Sequence, residues 1–150
     1  MNDSFINLFD EGCLSAETRV LMVDGSQKEI AHICLGDMVQ NIAGGYSRVM
    51  NVMTGMESEC LKMVLEDGRE LCGTKEHPVM TDHGYKTLEA IRLGDRVQVE
   101  EGGFRTVTGL SLKNCDERVY NLELDGDEHG FWGNGIATGD YCIEWTVRSR

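Results

Sequence analysis

A cysteine directly after a glycine, Gly12-Cys13, and a distant histidine in Thr74-Lys75-Glu76-His77-Pro78 could together do covalent chemistry on this chain. A thiolate is a strong nucleophile near neutral pH and a good leaving group. Attack of Cys13 on the carbonyl carbon of Gly12 would move the upstream acyl chain from nitrogen to sulfur. An inert amide would become a thioester. Gly12 suits that step, since a side chain there would crowd the approach. The departing nitrogen needs a proton, which a histidine of ordinary pKa, about 6.5, can deliver. Pro78 biases His77 towards extended backbone. The Thr74 hydroxyl could hydrogen-bond the scissile peptide and help hold a developing oxyanion. A second histidine, His129, lies between the acidic turn Asp125-Gly126-Asp127-Glu128 and Phe131-Trp132, where neighbouring carboxylates would favour its charged form. Each feature alone has a plainer reading: a buried structural cysteine, or a histidine on an exposed turn.

Short strands broken by turns must position these groups. Val20 to Val23 ends at Asp24-Gly25. Cys60 to Leu65 faces Arg69 to Cys72 across Asp67-Gly68, a hairpin signal. Val97 to Glu100 faces Phe104 to Val107 across Gly102-Gly103. Val119 to Leu124 ends at Asp125-Gly126, and Phe131 to Gly133 leads through Asn134-Gly135 to Ile136. Brief helical turns fit Lys28 to Ile33 and Lys86 to Ile91. With 18 glycines, one proline and no long 3.6-residue stripe, the class is all-β. A repeat is also visible. Leu21 to Gln40 matches Val79 to Gln98, and the string Leu-Gly-Asp-x-Val-Gln recurs whole. Two copies imply a pseudo-two-fold domain of two intertwined β-subdomains around one core.

The 150 residues suit one domain, and a hydrophobic fraction of 41% argues against disorder. A formal charge of -12 without a Lys/Arg block argues against a nucleic-acid partner. No apolar stretch reaches membrane-spanning length, and residues 1–11 lack the basic start and cleavage site of a signal peptide. The compartment stays open between the cytoplasm and a secreted parent protein. Six cysteines, at 13, 34, 60, 72, 115 and 142, form no C-x-x-C pair and no zinc-spaced cluster. No metal or other cofactor is therefore expected. The five other than Cys13 read as small buried hydrophobes.

Taken in order, the motifs resemble the Hint superfamily of inteins, hedgehog autoprocessing domains and bacterial intein-like domains. They are the Cys13 block with Asp24-Gly25, then Leu-Gly-Asp-x-Val, Thr74-x-x-His77-Pro78-Val79, Val119 to Leu124, and His129-Gly130-Phe131-Trp132-Gly133-Asn134-Gly135-Ile136. The resemblance covers roughly Cys13 to Asp140. It implies a horseshoe-like all-β fold with pseudo-two-fold symmetry. By position, Cys13 matches the nucleophile of the N–S acyl shift, Thr74 and His77 the pair that strains and protonates the scissile amide, and His129 the histidine assisting the C-terminal junction. Asp140 falls where splicing inteins end in Asn, and Gly139 replaces the preceding His. A carboxylate lacks the amide nitrogen that Asn cyclisation needs. Tyr141 is a poor acceptor, and Cys142 lies one residue beyond the acceptor position. Asn121 stands where many inteins carry Asp, which reads as a weakened polar activator.

The resemblance therefore implies an autocatalytic, single-turnover, cysteine-dependent domain that cleaves or ligates at Gly12–Cys13 rather than splicing. Residues 1–12 would be an N-terminal flank, 13–140 the domain and 141–150 a C-terminal flank. The substrate would be the chain's own flanking polypeptide, with water, a thiol or an amine as acceptor. No nucleic acid or membrane would be involved, and a monomer is expected. Two alternatives stay open on sequence: splicing through Asp140, and a catalytically silent β scaffold for partner binding.

Overall fold

Two strands far longer than any sequence segment suggests run through the molecule. The structure is a computed structural model describing residues 12–143; the flanks expected at 1–11 and 144–150 lie outside those residues. Strand β5 (Tyr46–Leu65) and strand β10 (Phe104–Leu124) pair antiparallel from Val107 opposite Leu65 to Leu124 opposite Val49. The sequence shows only their ends, because polar and glycine residues interrupt the middle. The ladder shifts register between Asn114 and Glu117, where Asp116 takes a positive φ of 42°. A bulge of this kind bends a long ribbon and increases its twist.

The expected hairpins form around this ribbon. Strand β6 (Glu70–Gly73) pairs with β5, Lys62 opposite Cys72. Strand β9 (Arg96–Gln98) pairs with the start of β10. Strand β11 (Gly130–Gly133) turns through Asn134-Gly135 into β12 (Ile136–Gly139). Short 3-10 turns occupy Ile30–His32 and Leu88–Ala90, inside the two segments read as helical turns. The core runs through both halves and includes Val20, Val39, Leu71, Val79, Val97, Leu122, Phe131 and Ile136. Among the described residues no helix is long and apolar enough to cross a membrane.

The sequence repeat is a structural repeat. Lys28 Nζ meets Asp37 Oδ2 at 2.9 Å, and Lys86 Nζ meets Asp95 Oδ2 at 3.0 Å. The same carboxylates accept the N–H of Cys34 and of Arg92, each at 2.9 Å. Gly36 and Gly94 take φ of 88° and 93° and donate to Val49 and Val107, each at 2.9 Å. The Gly-Asp pair recurs because glycine tolerates that φ and the aspartate holds the turn that re-enters the ribbon.

Cysteine burial departs from expectation. Cys60 is buried, but Cys72 and Cys142 are half-buried and Cys34 is exposed; all four are thiols rather than disulfides. Cys34 sits on the tight Leu-Gly-Asp turn, which projects from the core.

Candidate active site

Strand β1 (Leu14–Ser15) has only two residues, yet it lies between two neighbours. Leu14 faces Tyr120 of β10 on one side and Gly73 of β6 on the other. This brings Cys13 beside Thr74 and Gly12 beside Asn121. Two glycines allow the approach. A Cβ on Gly73 would stand 2.8 Å from the Cys13 carbonyl oxygen, and one on Gly12 would stand 2.4 Å from His77 Cα. The space Gly12 must leave empty is therefore taken by the 76–77 backbone.

The Gly12–Cys13 peptide is held at both ends. Asn121 Nδ2 donates to the Gly12 carbonyl oxygen at 2.9 Å. Asn121 Oδ1 accepts the Leu122 N–H at 2.8 Å, which fixes the amide with its NH2 towards the junction. On the nitrogen side, the Cys13 N–H donates to Thr74 Oγ1 at 2.9 Å. Thr74 bonds this peptide, as expected, but at the amide N–H and not at the oxyanion position. Asn121, expected as a weakened activator, donates its NH2 to the carbonyl, which an ionised Asp cannot do. Its signal in the sequence was a polar residue on the same strand face as buried Val119, where an unpartnered amide would be costly.

His77 is fully buried at the end of this arrangement. Burial pushes its pKa from the ordinary value down to about 3, with the Gly12 backbone pulling the other way. The ring is neutral at physiological pH, unlike the titrating histidine the sequence suggests. Its Nε2 bonds the Thr138 hydroxyl, and its Nδ1 has no hydrogen-bond partner among the described residues. Cys13 is buried in a small cluster with Cys60 and Val119. Beyond Cys60 and Thr74 lies a cavity of about 420 Å³ also lined by Glu57, Glu59, Lys75, Glu76 and Glu89. Burial raises the Glu76 carboxyl, and Glu89 and Glu57 add to that shift.

The other sequence-derived residues gather elsewhere. His129 Nδ1 and Asp140 Oδ2 lie 2.8 Å apart, so the carboxylate beside His129 is Asp140 and not one from the acidic turn before it. Asp140 Oδ2 also accepts the Leu124 N–H at 2.8 Å. Its Oδ1 accepts the N–H of Cys142 at 2.9 Å and of Ile143 at 3.2 Å. Residues 141–143 are helical, and Asp140 serves as their N-cap. Burial raises its pKa, opposed by the Leu124 and His129 bonds. Burial and then Asp140 push the Cys142 thiol up to about 11. Ligand atoms of His129, Asp140 and Cys142 lie within 4.8 Å of one another, close enough to hold a metal. Spacing along the chain gave no hint of this group. Its carboxylate oxygens already accept four hydrogen bonds. Gly139 has no room for a larger residue, since a Cβ would stand 2.6 Å from Ile143 Cγ2.

The family model described as the pretoxin HINT domain matches residues 19–143.

The chain belongs to the pretoxin HINT domain family.

This HINT domain is similar in structure to the gp41-1 intein, with a TM-score of 0.78, 28% identity, and coverage of 86% of this chain and 98% of that one. It also shares its fold with a bacterial intein-like domain from Clostridium thermocellum, with a TM-score of 0.74, 23% identity, and coverage of 87% and 98%. Among curated proteins, the tRNA-splicing ligase RtcB of Pyrococcus horikoshii is 29% identical over 102 residues, which are 61% of this chain. The chain spans 12% of that ligase's length. Inteins and HINT domains are autoprocessing, and the fold of this HINT domain is theirs.

Proposed function

We propose that this HINT domain breaks its own Gly12–Cys13 bond by an N–S acyl shift. Cys13 Sγ attacks the Gly12 carbonyl carbon and gives its proton to His77 Nδ1. Asn121 Nδ2 holds the oxyanion that develops on Gly12 O. Thr74 keeps the amide N–H oriented as the nitrogen becomes tetrahedral. His77, now an imidazolium of low pKa, returns the proton to the Cys13 nitrogen as the C–N bond breaks. The products are a thioester of Gly12 on Cys13 Sγ and a free amine on Cys13. Water, a thiol or an amine then takes the acyl group, and the cavity beyond Thr74 and Cys60 offers a route for it. The substrate is the polypeptide that carries the domain.

The observation that carries this reading is the double hold on one peptide bond. A donor lies at its carbonyl and an acceptor at its N–H, beside a cysteine and a bare imidazole nitrogen. Electrostatic stabilisation of this kind acts most strongly in a buried site. Incubation with dithiothreitol or hydroxylamine followed by intact-mass measurement tests it. The expected result is loss of residues 1–12 from wild type and not from Cys13→Ala. An unchanged mass in protein whose Cys13 is a free thiol would overturn it.

A further inference from the structure

We propose that Thr138 is a positioning residue for this cleavage, fixing His77 as the Nε2–H tautomer so that Nδ1 keeps its lone pair free. The proposal rests on the reading of His77 as the proton carrier. Thr138 lies on β12 opposite Val79 of strand β7 (Pro78–Thr81), which starts immediately after His77. It is fully buried, as His77 is. The Thr138 hydroxyl donates to the Pro78 carbonyl oxygen at 3.1 Å. A carbonyl only accepts, so the single hydroxyl proton is committed there. The bond between Thr138 Oγ1 and His77 Nε2 must then take its proton from the ring. A neutral imidazole carries one N–H, so Nδ1 is left bare.

The opposite tautomer would set a ring lone pair against the threonine oxygen. Rotating the hydroxyl to relieve that clash would break its bond to the Pro78 carbonyl in a buried site. A carboxylate in this place would fix the same tautomer but would also stabilise the imidazolium. A neutral hydroxyl orients the ring and leaves its protonated form a strong acid, which the step at the Cys13 nitrogen requires. Thr138 is two residues before Asp140, so the strand that leads to the C-terminal junction also holds the base of the N-terminal one.

The test measures the tautomer directly. In 15N-histidine-labelled Cys13→Ala protein, two-bond ring correlations should show His77 protonated at Nε2 and not at Nδ1 at pH 7. Adding Thr138→Val, which removes the hydroxyl and keeps the shape, should shift His77 towards Nδ1–H. Thr138→Ser should retain Nε2–H. In the Cys13 background, Thr138→Val should slow thiol-induced cleavage about 10- to 100-fold, with Thr138→Ser restoring most of the rate. A parent spectrum showing Nδ1–H, or a Thr138→Val spectrum with an unchanged tautomer, overturns the proposal. Loss of dispersed methyl signals in Thr138→Val would move the decision to the parent and Thr138→Ser spectra. If wild type does not cleave while the tautomer responds as expected, the assignment of Thr138 stands and the cleavage reading falls.

Discussion

The Gly12–Cys13 and Asp140–Tyr141 junctions each have a histidine nearby, but the two histidines are held in opposite ways. His77 is sealed in the core, and its Nδ1 has no hydrogen-bond partner among the described residues. His129 is half-buried, and its Nδ1 is engaged by Asp140. At the first junction two side chains grip the ends of one peptide bond. At the second, three backbone N–H groups and a ring nitrogen saturate one carboxylate. Buried polar atoms are normally satisfied, and among the described residues two side-chain atoms are not: His77 Nδ1, and Tyr85 Oη beside Gly130. The saturated group behaves as structure: it caps the helical residues after the junction. One fold thus holds a peptide bond gripped at both ends and a carboxylate that caps the residues after it.

The widest gap between the junctions should come from Cys13→Ala, which is expected to abolish the loss of residues 1–12 completely while leaving the fold intact. Mass spectrometry and circular dichroism read the two effects.

Next in size is the response to acid. The unfolded chain protonates His77 near pH 6.5, whereas the folded chain does so only near 3. Between these values the unfolded state binds the extra proton. The contribution of His77 is therefore whole above about pH 6.5 and is lost as pH falls towards 3, by up to roughly 5 kcal/mol. Urea titrations of Cys13→Ala should show this decline, and His77→Gln should flatten it. Asp140 has the opposite sign. Its raised pKa gives stability that is present below the unfolded carboxyl value and lost as pH rises through the folded one.

Asn121→Ala should slow cleavage about 100-fold by removing the donor at Gly12 O. Asn121→Asp should not restore the rate, because a carboxylate offers no N–H. His129→Ala should change the N-terminal rate by no more than about threefold. A large effect of His129→Ala on that rate would erase the distinction between the junctions.

The smallest effect belongs to Asp140→Ala, expected to cost about 1 kcal/mol of stability through the lost cap with N-terminal cleavage intact. Asp140→Asn should produce no C-terminal cleavage by itself, because Gly139 supplies no histidine at the preceding position and Ile143 leaves no room there for one. Intact-mass analysis showing a new cut after residue 140 would reverse that conclusion.

Local signals made the hairpins readable. Asp67-Gly68, Gly102-Gly103 and Asn134-Gly135 each close a turn that the neighbouring alternation supports, and the doubled Leu-Gly-Asp string announces the pseudo-symmetry. The length of β5 and β10 was not readable, since their middle residues have no alternating pattern and gain their strand state by pairing with each other. Cys13, Thr74 and His77 stood out because their residue types imply chemistry wherever they lie. Asn121 stood out only as a departure from the Asp of many inteins, and Thr138 and Gly73 did not stand out, because an amide, a hydroxyl and a missing Cβ acquire meaning only from what they touch.

By itself, the sequence determined the all-β class, the two-fold repeat, the candidate nucleophile Cys13 and the ending at Gly139-Asp140. These depend on residue type, on short-range turn geometry and on order along the chain. Only the tertiary structure decided which group holds which end of the Gly12–Cys13 peptide, how deeply His77 is buried and which N–H groups Asp140 caps. Hydrogen-bond partnership and burial arise from contacts between residues distant in the chain, and those two properties set donor, acceptor and proton affinity at this site.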